Sequence, residues 1–258
     1  MDRTEPRLIT SVERGIATVV IANPAKRNAM TTAMWRSLPE LLERLAADPA
    51  VRVLVLTGAG DTFCAGADIS ALRESADGSP GLTSGVTVEA EEALAAFPRP
   101  TLAAVRGYCV GGGSQLAAAC DLRFAEEGAS FGVTPANLGI VYSASSTRRL
   151  VALVGPGTAK HLLFSGELIG TERALRTGLV DEVLPPGGLD KRVEEYVRLL
   201  ASRSQLTQAA AKEFAAVRTD RDAHWAAEAR GSTDTAEGVA AFLERRAPRF
   251  TYSTAPTR

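Results

Sequence analysis

The chain has 258 residues, 29 Lys and Arg against 30 Asp and Glu, a formal charge of −1, and 45% hydrophobic and 23% charged residues. Such a chain is long enough to bury a sizeable core in one large domain or two small ones, and it is too apolar for disorder to be its main theme. Near-neutral charge without a Lys/Arg run gives it no electrostatic reason to seek nucleic acid, and its longest apolar runs, such as 53–56 and 116–120, are far too short to span a bilayer.

The N-terminal MDRTEPRLIT has no apolar signal core, so a cytoplasmic location is expected. Residues 8–13 and 16–21 read as strands flanking Arg14-Gly15, a two-residue hairpin turn. Thr31 or Thr32 can cap a helix that runs through 38–45 and closes at Asp48-Pro49, with Pro39 as a possible kink. Residues 51–56 form a buried strand, followed by a glycine-rich loop over 58–68. SADGSPGLTSGVTV, residues 75–88, is the most loop-like stretch. A short helix over 89–97 is stopped by Pro98 and Pro100. Strands at 101–105 and 122–125 bracket a helix of small residues over 111–119. Helices then dominate, at 145–154, 158–164, 171–177, 192–201, 207–216 and 234–246, with one late strand at 180–184. Strands alternating with helices, then a helical last third, predict an α/β protein with an appended helical region. The expected division is a core over 1–195 and a helical region over 196–258.

Much familiar chemistry is missing. Cys64, Cys109 and Cys120 are odd in number and lack metal or disulfide spacing, which predicts buried thiols in a reducing compartment. His161 and His224 have no Ser or Cys motif beside them, and Ser114 lies in Gly-Gly-Ser-Gln-Leu rather than in a nucleophile elbow. Gly58-Ala59-Gly60 half-resembles a dinucleotide turn, but Phe63 takes the third glycine position. No metal site and no cofactor is expected.

Two backbone segments remain, Phe63-Cys64-Ala65-Gly66-Ala67-Asp68-Ile69 and Gly107-Tyr108-Cys109-Val110-Gly111-Gly112-Gly113-Ser114-Gln115. Each follows a strand, and the second leads into a helix. Small residues let a ligand approach the main chain, and a helix N-terminus offers free N–H donors. Two such donors converging on one oxygen make an oxyanion hole. Alternatively, the triple glycine merely permits tight helix packing.

With these motifs the chain resembles the crotonase (enoyl-CoA hydratase/isomerase) superfamily. The matching segments are Asn23-Pro24-Ala25-Lys26-Arg27-Asn28-Ala29-Met30, FCAGADI, GYCVGGGSQLAAACDLRFA, residues 131–139 and the tail GVAAFLERRAPRF. The resemblance implies a spiral of ββα units, a C-terminal helical trimerisation region, a homotrimer or homohexamer, and an acyl-coenzyme A thioester as substrate. It gives the N–H groups of Ala67 and Gly112 the role of oxyanion donors. Ala65, Gly66, Asp68 and Ile69 would line the bound CoA with Ala67. Lys26, Arg27 and Arg245 would meet its phosphates or ribose.

The departures bear on the reaction. Gln115 and Pro135 stand where hydratases of the family carry two glutamates, and Asn137 where certain dienoyl-CoA isomerases carry an aspartate. An amide and a proline give no general acid–base help, which is worth about 10²–10⁴-fold per group. A malonyl-type thioester generates its own enolate by losing CO₂, so it needs only the oxyanion hole and orientation. Residues 131–142 resemble the matching stretch of methylmalonyl-CoA decarboxylase-like members, with Thr134 as a substrate contact and Tyr142 as the pocket tyrosine; Ala67 replaces a histidine found there. The expectation is decarboxylation of a methylmalonyl-CoA-like substrate. The alternatives are another reaction of the family, such as hydration or isomerisation using Glu74, Glu89, Glu92 or Asp68, and a CoA-ester-binding paralogue without catalysis.

Overall fold

The computed structural model of the chain describes residues 5–68, 85–216 and 221–254. Strands β1 (Arg7–Glu13) and β2 (Ile16–Ala22) form the expected antiparallel hairpin. Arg14 and Gly15 both take positive φ, 51° and 83°, which matches the twist of a tight two-residue turn. Next come β3 (Val53–Gly58), β4 (Thr101–Val105), β5 (Tyr108–Val110), β6 (Leu122–Glu126), β7 (Ser130–Gly132), β8 (Ile169–Gly170) and β9 (Glu182–Leu184). The larger sheet has the order β1-β2-β3-β4-β6-β9 and is parallel from β2 onward; the smaller has the order β5-β7-β8. The strands of the smaller sheet are only two or three residues long, too short for any period in the sequence to reveal them.

Nine α-helices lie among the described residues: α1 (Thr32–Ala47), α2 (Val86–Ala95), α3 (Gly112–Ala119), α4 (Ala144–Ser165), α5 (Thr171–Arg176), α6 (Leu189–Ala201), α7 (Gln205–Ala215), α8 (Asp222–Gly231) and α9 (Asp234–Leu243). Thr31 caps α1 by accepting the Met34 N–H, and the helix continues through Pro39. Met34, Trp35, Leu38, Leu41, Leu42 and Leu45 form its buried stripe. The two helices expected on either side of 155–157 are one run interrupted at Gly155, where φ is 74°. The α2 helix starts three residues earlier than the sequence reading places it, and α8 was not foreseen.

The alternation of β3 shows why the larger sheet is covered on both faces. Leu54 and Leu56 enter the main core with Ala17, Val19, Ile21, Ala103 and Val105, beneath α1 to α4. Val53 and Val55 point the other way, with Leu102, Ala104 and Phe124, against Leu189, Val193 and Val197 of α6. The expected division at 195 therefore falls inside a helix that packs on the sheet. Beyond it, Leu206, Ala209 and Trp225 gather a small cluster of their own. No described helix is long and apolar enough to cross a membrane.

Candidate active site

The two glycine-bearing turns meet. Cys64 bridges to Cys109 in parallel, with the Cys64 N–H donating to the Tyr108 carbonyl at 2.8 Å and the Val110 N–H to the Cys64 carbonyl at 3.0 Å. Three residues later Ala67 pairs with Met30, whose N–H donates to Gly66 and whose carbonyl accepts from Asp68. In a parallel bridge those bonds use the neighbours of Ala67, so its own N–H points away from Met30. Gly112 opens α3, where the helix supplies no acceptor. Neither N–H has an acceptor among the described residues.

The two donors are adjacent. A β-carbon added to Gly112 would lie 3.4 Å from the Ala67 nitrogen, and one added to Gly66 would lie 3.6 Å from the Gly112 nitrogen. Gly66 has φ of 112°, a conformation open to glycine, and this lets the chain turn there. Ala65, Gly66, Ala67, Gly111 and Gly112 line one wall of a cavity of about 140 Å³. Thr134, Pro135, Tyr142, Ser143 and Gln115 line the rest, with Leu138, Ile140 and Val141 supplying apolar surface.

The turn that supports this wall is built on two buried asparagines. Asn28 donates to the carbonyls of Ala59 (2.8 Å) and Thr62 (2.6 Å), and its Oδ1 accepts from the Asn23 N–H at 3.0 Å. Asn23 in turn donates to the Ala29 carbonyl at 2.7 Å. Lys26 and Arg27 ride on this turn. Lys26 pairs with Asp68 at 2.7 Å, and the Arg27 guanidinium lies 4.9 Å from the Tyr108 ring centroid. Neither these two cations nor Asp68 is among the residues lining the cavity.

Other expected site residues lie elsewhere. The Asn137 amide packs against Gly166 at the end of α4 rather than lining the cavity. Arg245 follows α9 and is exposed, also outside the cavity lining. Ile69 and Glu74 fall outside the described residues, as do residues 75–84 of the loop-like stretch. Glu89 and Glu92 are exposed on α2. His161 contacts Arg173 and Glu167, and His224 packs edge-on against Trp225. Ser114 is a buried strut, its hydroxyl held 2.6 Å from the Cys109 carbonyl and 2.8 Å from that of Gly132. Among the described residues no cluster of three or more His, Cys, Asp or Glu could hold a metal.

One buried carboxylate escaped the sequence reading. Glu91 is 1% exposed, on the inward face of α2 with Thr87, Ala90 and Leu94. It forms an ion pair with Arg149 and accepts hydrogen bonds from Ser146 Oγ and, at 2.6 Å, from Gln115 Nε2. Because a carboxylate only accepts, the Gln115 amide must present its NH₂ to Glu91. The half-buried Tyr142 phenol stands in the same neighbourhood. Burial and then the Glu91 charge raise its pKa, against the nearby Ser146 hydroxyl and the Arg149 charge.

Comparison with known proteins places this architecture in familiar company. An enoyl-CoA hydratase/isomerase family model matches residues 11–253. The crotonyl-CoA hydratase of Syntrophomonas wolfei is 34% identical over 252 residues, covering 94% of this chain and 97% of that protein. The 2,3-dehydroadipyl-CoA hydratase of Escherichia coli is 34% identical over 253 residues, covering 94% and 98%. A solved enoyl-CoA hydratase/isomerase family member superposes with a TM-score of 0.90 at 40% identity, covering 99% and 100%. The two named relatives are hydratases, and nothing in these names points to a decarboxylase subgroup.

Proposed function

Because the chain belongs to the enoyl-CoA hydratase/isomerase family, we propose that it hydrates an enoyl-CoA thioester whose oxygen sits between the N–H groups of Ala67 and Gly112. The adjacency of these two donors on the cavity wall carries the reading. As water adds to the β-carbon, negative charge moves onto the thioester oxygen. Donors already aimed there stabilise that charge without reorganising, each worth roughly 2.7–4 kcal/mol. Hydratase is also the activity named for the two relatives at 34% identity.

In this proposal Ala65, Gly66 and Ile69 flank the CoA, and Lys26, Arg27 and Arg245 meet its phosphates or ribose. A phosphate at Lys26 has to share that ammonium with Asp68, so the pair opens or splits its bonds on binding. The assembly is a trimer or a pair of trimers. Val239, Phe242 and Leu243 of α9 are exposed apolar side chains that such an interface would cover.

One observation favours a second reading. No carboxylate lines the cavity among the described residues, and Gln115 and Pro135 do. Decarboxylation of a methylmalonyl-CoA-like thioester suits such a wall, because CO₂ is the leaving group and a nearby carboxylate would repel the substrate. Thr134 and Tyr142 would then orient the breaking bond.

Incubating the purified protein with crotonyl-CoA, malonyl-CoA and methylmalonyl-CoA separates these outcomes. Formation of 3-hydroxybutyryl-CoA at an enzymatic rate supports the proposal. Propionyl-CoA and CO₂ without hydration replaces it with the second reading. Tight binding of a broad acyl-CoA panel with no turnover makes the protein a CoA-ester-binding relative without catalysis.

A further inference from the structure

Hydration needs a group that accepts a proton from water and returns one to the α-carbon, and among the described residues no carboxylate lines the cavity wall. The nearest candidate is one layer deeper. Ser143 lines the cavity and is the N-cap of α4, where its Oγ accepts the Ser146 N–H at 3.0 Å. With that lone pair occupied, the Ser143 hydroxyl can direct its proton at Ser146 Oγ, which is 2.6 Å away. Ser146 is 2% exposed, and its hydroxyl donates to Glu91 Oε2. The three groups form one line of hydrogen bonds from the cavity wall to a buried carboxylate. The second Glu91 oxygen is held by Arg149, and Gln115 donates to both Ser146 Oγ (3.2 Å) and Glu91.

We propose that Glu91 is the buried end of a proton relay that reaches the cavity through the hydroxyls of Ser146 and Ser143. The proposal rests on the enoyl-CoA reading above. Water adds its oxygen to the β-carbon and gives a proton to Ser143 Oγ. Ser143 passes its own proton to Ser146, and Ser146 passes its own to Glu91. Reversing the line delivers that proton to the α-carbon as the enolate collapses. One H and one OH have then been added, and the three side chains end as they began. Gln115 has a positioning role here: its NH₂ fixes Ser146 Oγ and Glu91 relative to each other.

From α4 the groups facing Glu91 are Arg149 and Ser146, with Tyr142 just before the helix. From α3 there is the Gln115 amide, and α1, which packs on α2, is apolar along its buried stripe. Arg149 also reaches Glu92 on the exposed side of α2 at 3.2 Å, so it is not left without an anion when Glu91 takes a proton.

Two measurements test this on the full-length protein, the variants Glu91→Gln and Ser143→Ala, and wild type. One is kcat and KM with crotonyl-CoA. The other is exchange of the α-protons of butyryl-CoA in D₂O, followed by NMR, which reads proton transfer without requiring hydration. Glu91→Gln is expected to lower both rates by about 10²-fold or more, with KM changed less than about threefold. Ser143→Ala also removes the N-cap of α4, so its folding is checked by urea unfolding alongside; it is expected to slow exchange by about tenfold or more. A folded Glu91→Gln with wild-type exchange overturns the relay. So does wild-type exchange in Ser143→Ala, or a wild-type protein that exchanges no α-protons at all. Exchange by wild type without hydration of crotonyl-CoA leaves the relay standing and removes the hydratase reading.

Discussion

The Trp35 indole lies 2.7 Å from the point where a β-carbon on Gly112 would stand. Trp35 is one of the largest fully buried side chains and sits on the inner stripe of α1, so it cannot swing away without opening the core. Gly112→Ala keeps the N–H but must push either the ring or the donor. Overpacking of this kind costs about 1–3 kcal/mol. A donor moved by a fraction of an ångström also loses aim, and a 1 Å error is worth about 10²-fold. The expected result is a lower urea midpoint together with a fall in kcat of about tenfold, and partial recovery of kcat in Gly112→Ala/Trp35→Phe. Wild-type stability and turnover in the single variant would show that this contact does not set the donor's position.

Asn28 ties the Lys26–Arg27 turn to the loop after β3. Asn28→Ala removes an acceptor for one backbone N–H and a donor for two carbonyls, all in a 1% exposed site. Its φ of 58° adds to the cost, because alanine tolerates the left-handed region less well than asparagine. Unsatisfied buried groups cost about 1–3 kcal/mol each, so a loss of about 3 kcal/mol is expected in urea unfolding. KM for an acyl-CoA should rise as well, since the proposed phosphate-contacting side chains lose their platform. A destabilised variant with unchanged KM would separate the turn from CoA binding.

Tyr142 offers a pH test. Burial and the Glu91 charge make its phenol harder to ionise in the folded chain than in the unfolded one. Above the unfolded value of about 10, unfolding therefore releases a proton, and stability falls as pH rises until the higher folded value is passed. One such group contributes a slope of up to about 1.4 kcal/mol per pH unit. Tyr252 is raised in the same direction, first by burial and then by its Glu228 partner, so wild type keeps part of the slope whatever Tyr142 does. The difference between wild type and Tyr142→Phe isolates the effect. Urea midpoints between pH 9 and pH 11 should decline less steeply for the variant. At neutral pH, Tyr142→Phe should lower turnover if the hydroxyl orients the acyl group, and equal kcat values would remove the phenol from the reaction.

Much of the fold was legible because it is written in long apolar runs and strong stops. The 51–56 run, the Arg14-Gly15 turn and the α1 stripe are local signals with one reading each. The two glycine-bearing turns were legible as small-residue segments, but their meeting was not: the Cys64–Cys109 bridge joins residues 45 apart, and β5 is three residues long. Family resemblance supplied that link. Glu91 was missed for a different reason. Starting the helix at 89 left Thr87 outside it and hid the buried spacing 87, 90, 91, 94, which puts a carboxylate on the apolar face. Its partners come from Gln115, Ser146 and Arg149, none of which signals an ion pair in sequence. The same long-range packing explains why Asn137, adjacent to the cavity in sequence, turns its amide to Gly166 instead.

The three cysteines report whether the two glycine-bearing turns open without global unfolding. Cys64, Cys109 and Cys120 are free and fully buried. Burial raises all three thiols, Cys64 and Cys120 to about 12. Thiolate is the reactive form, so at pH 8 both accessibility and ionisation oppose reaction in the native state, with only about one thiol in 10⁴ ionised at Cys64. A thiol-reactive chromogen is expected to label none of them on the timescale of minutes in native buffer and all three in concentrated guanidinium chloride. Cys64 and Cys109 sit on the bridge that sets Ala67 beside Gly112. If the turns are as rigid as preorganised donors require, the three thiols react together, at the rate of global unfolding measured by fluorescence. Faster labelling of Cys64 and Cys109 than of Cys120 would show that this bridge parts on its own, and that the donors are brought into place by ligand binding rather than held there beforehand.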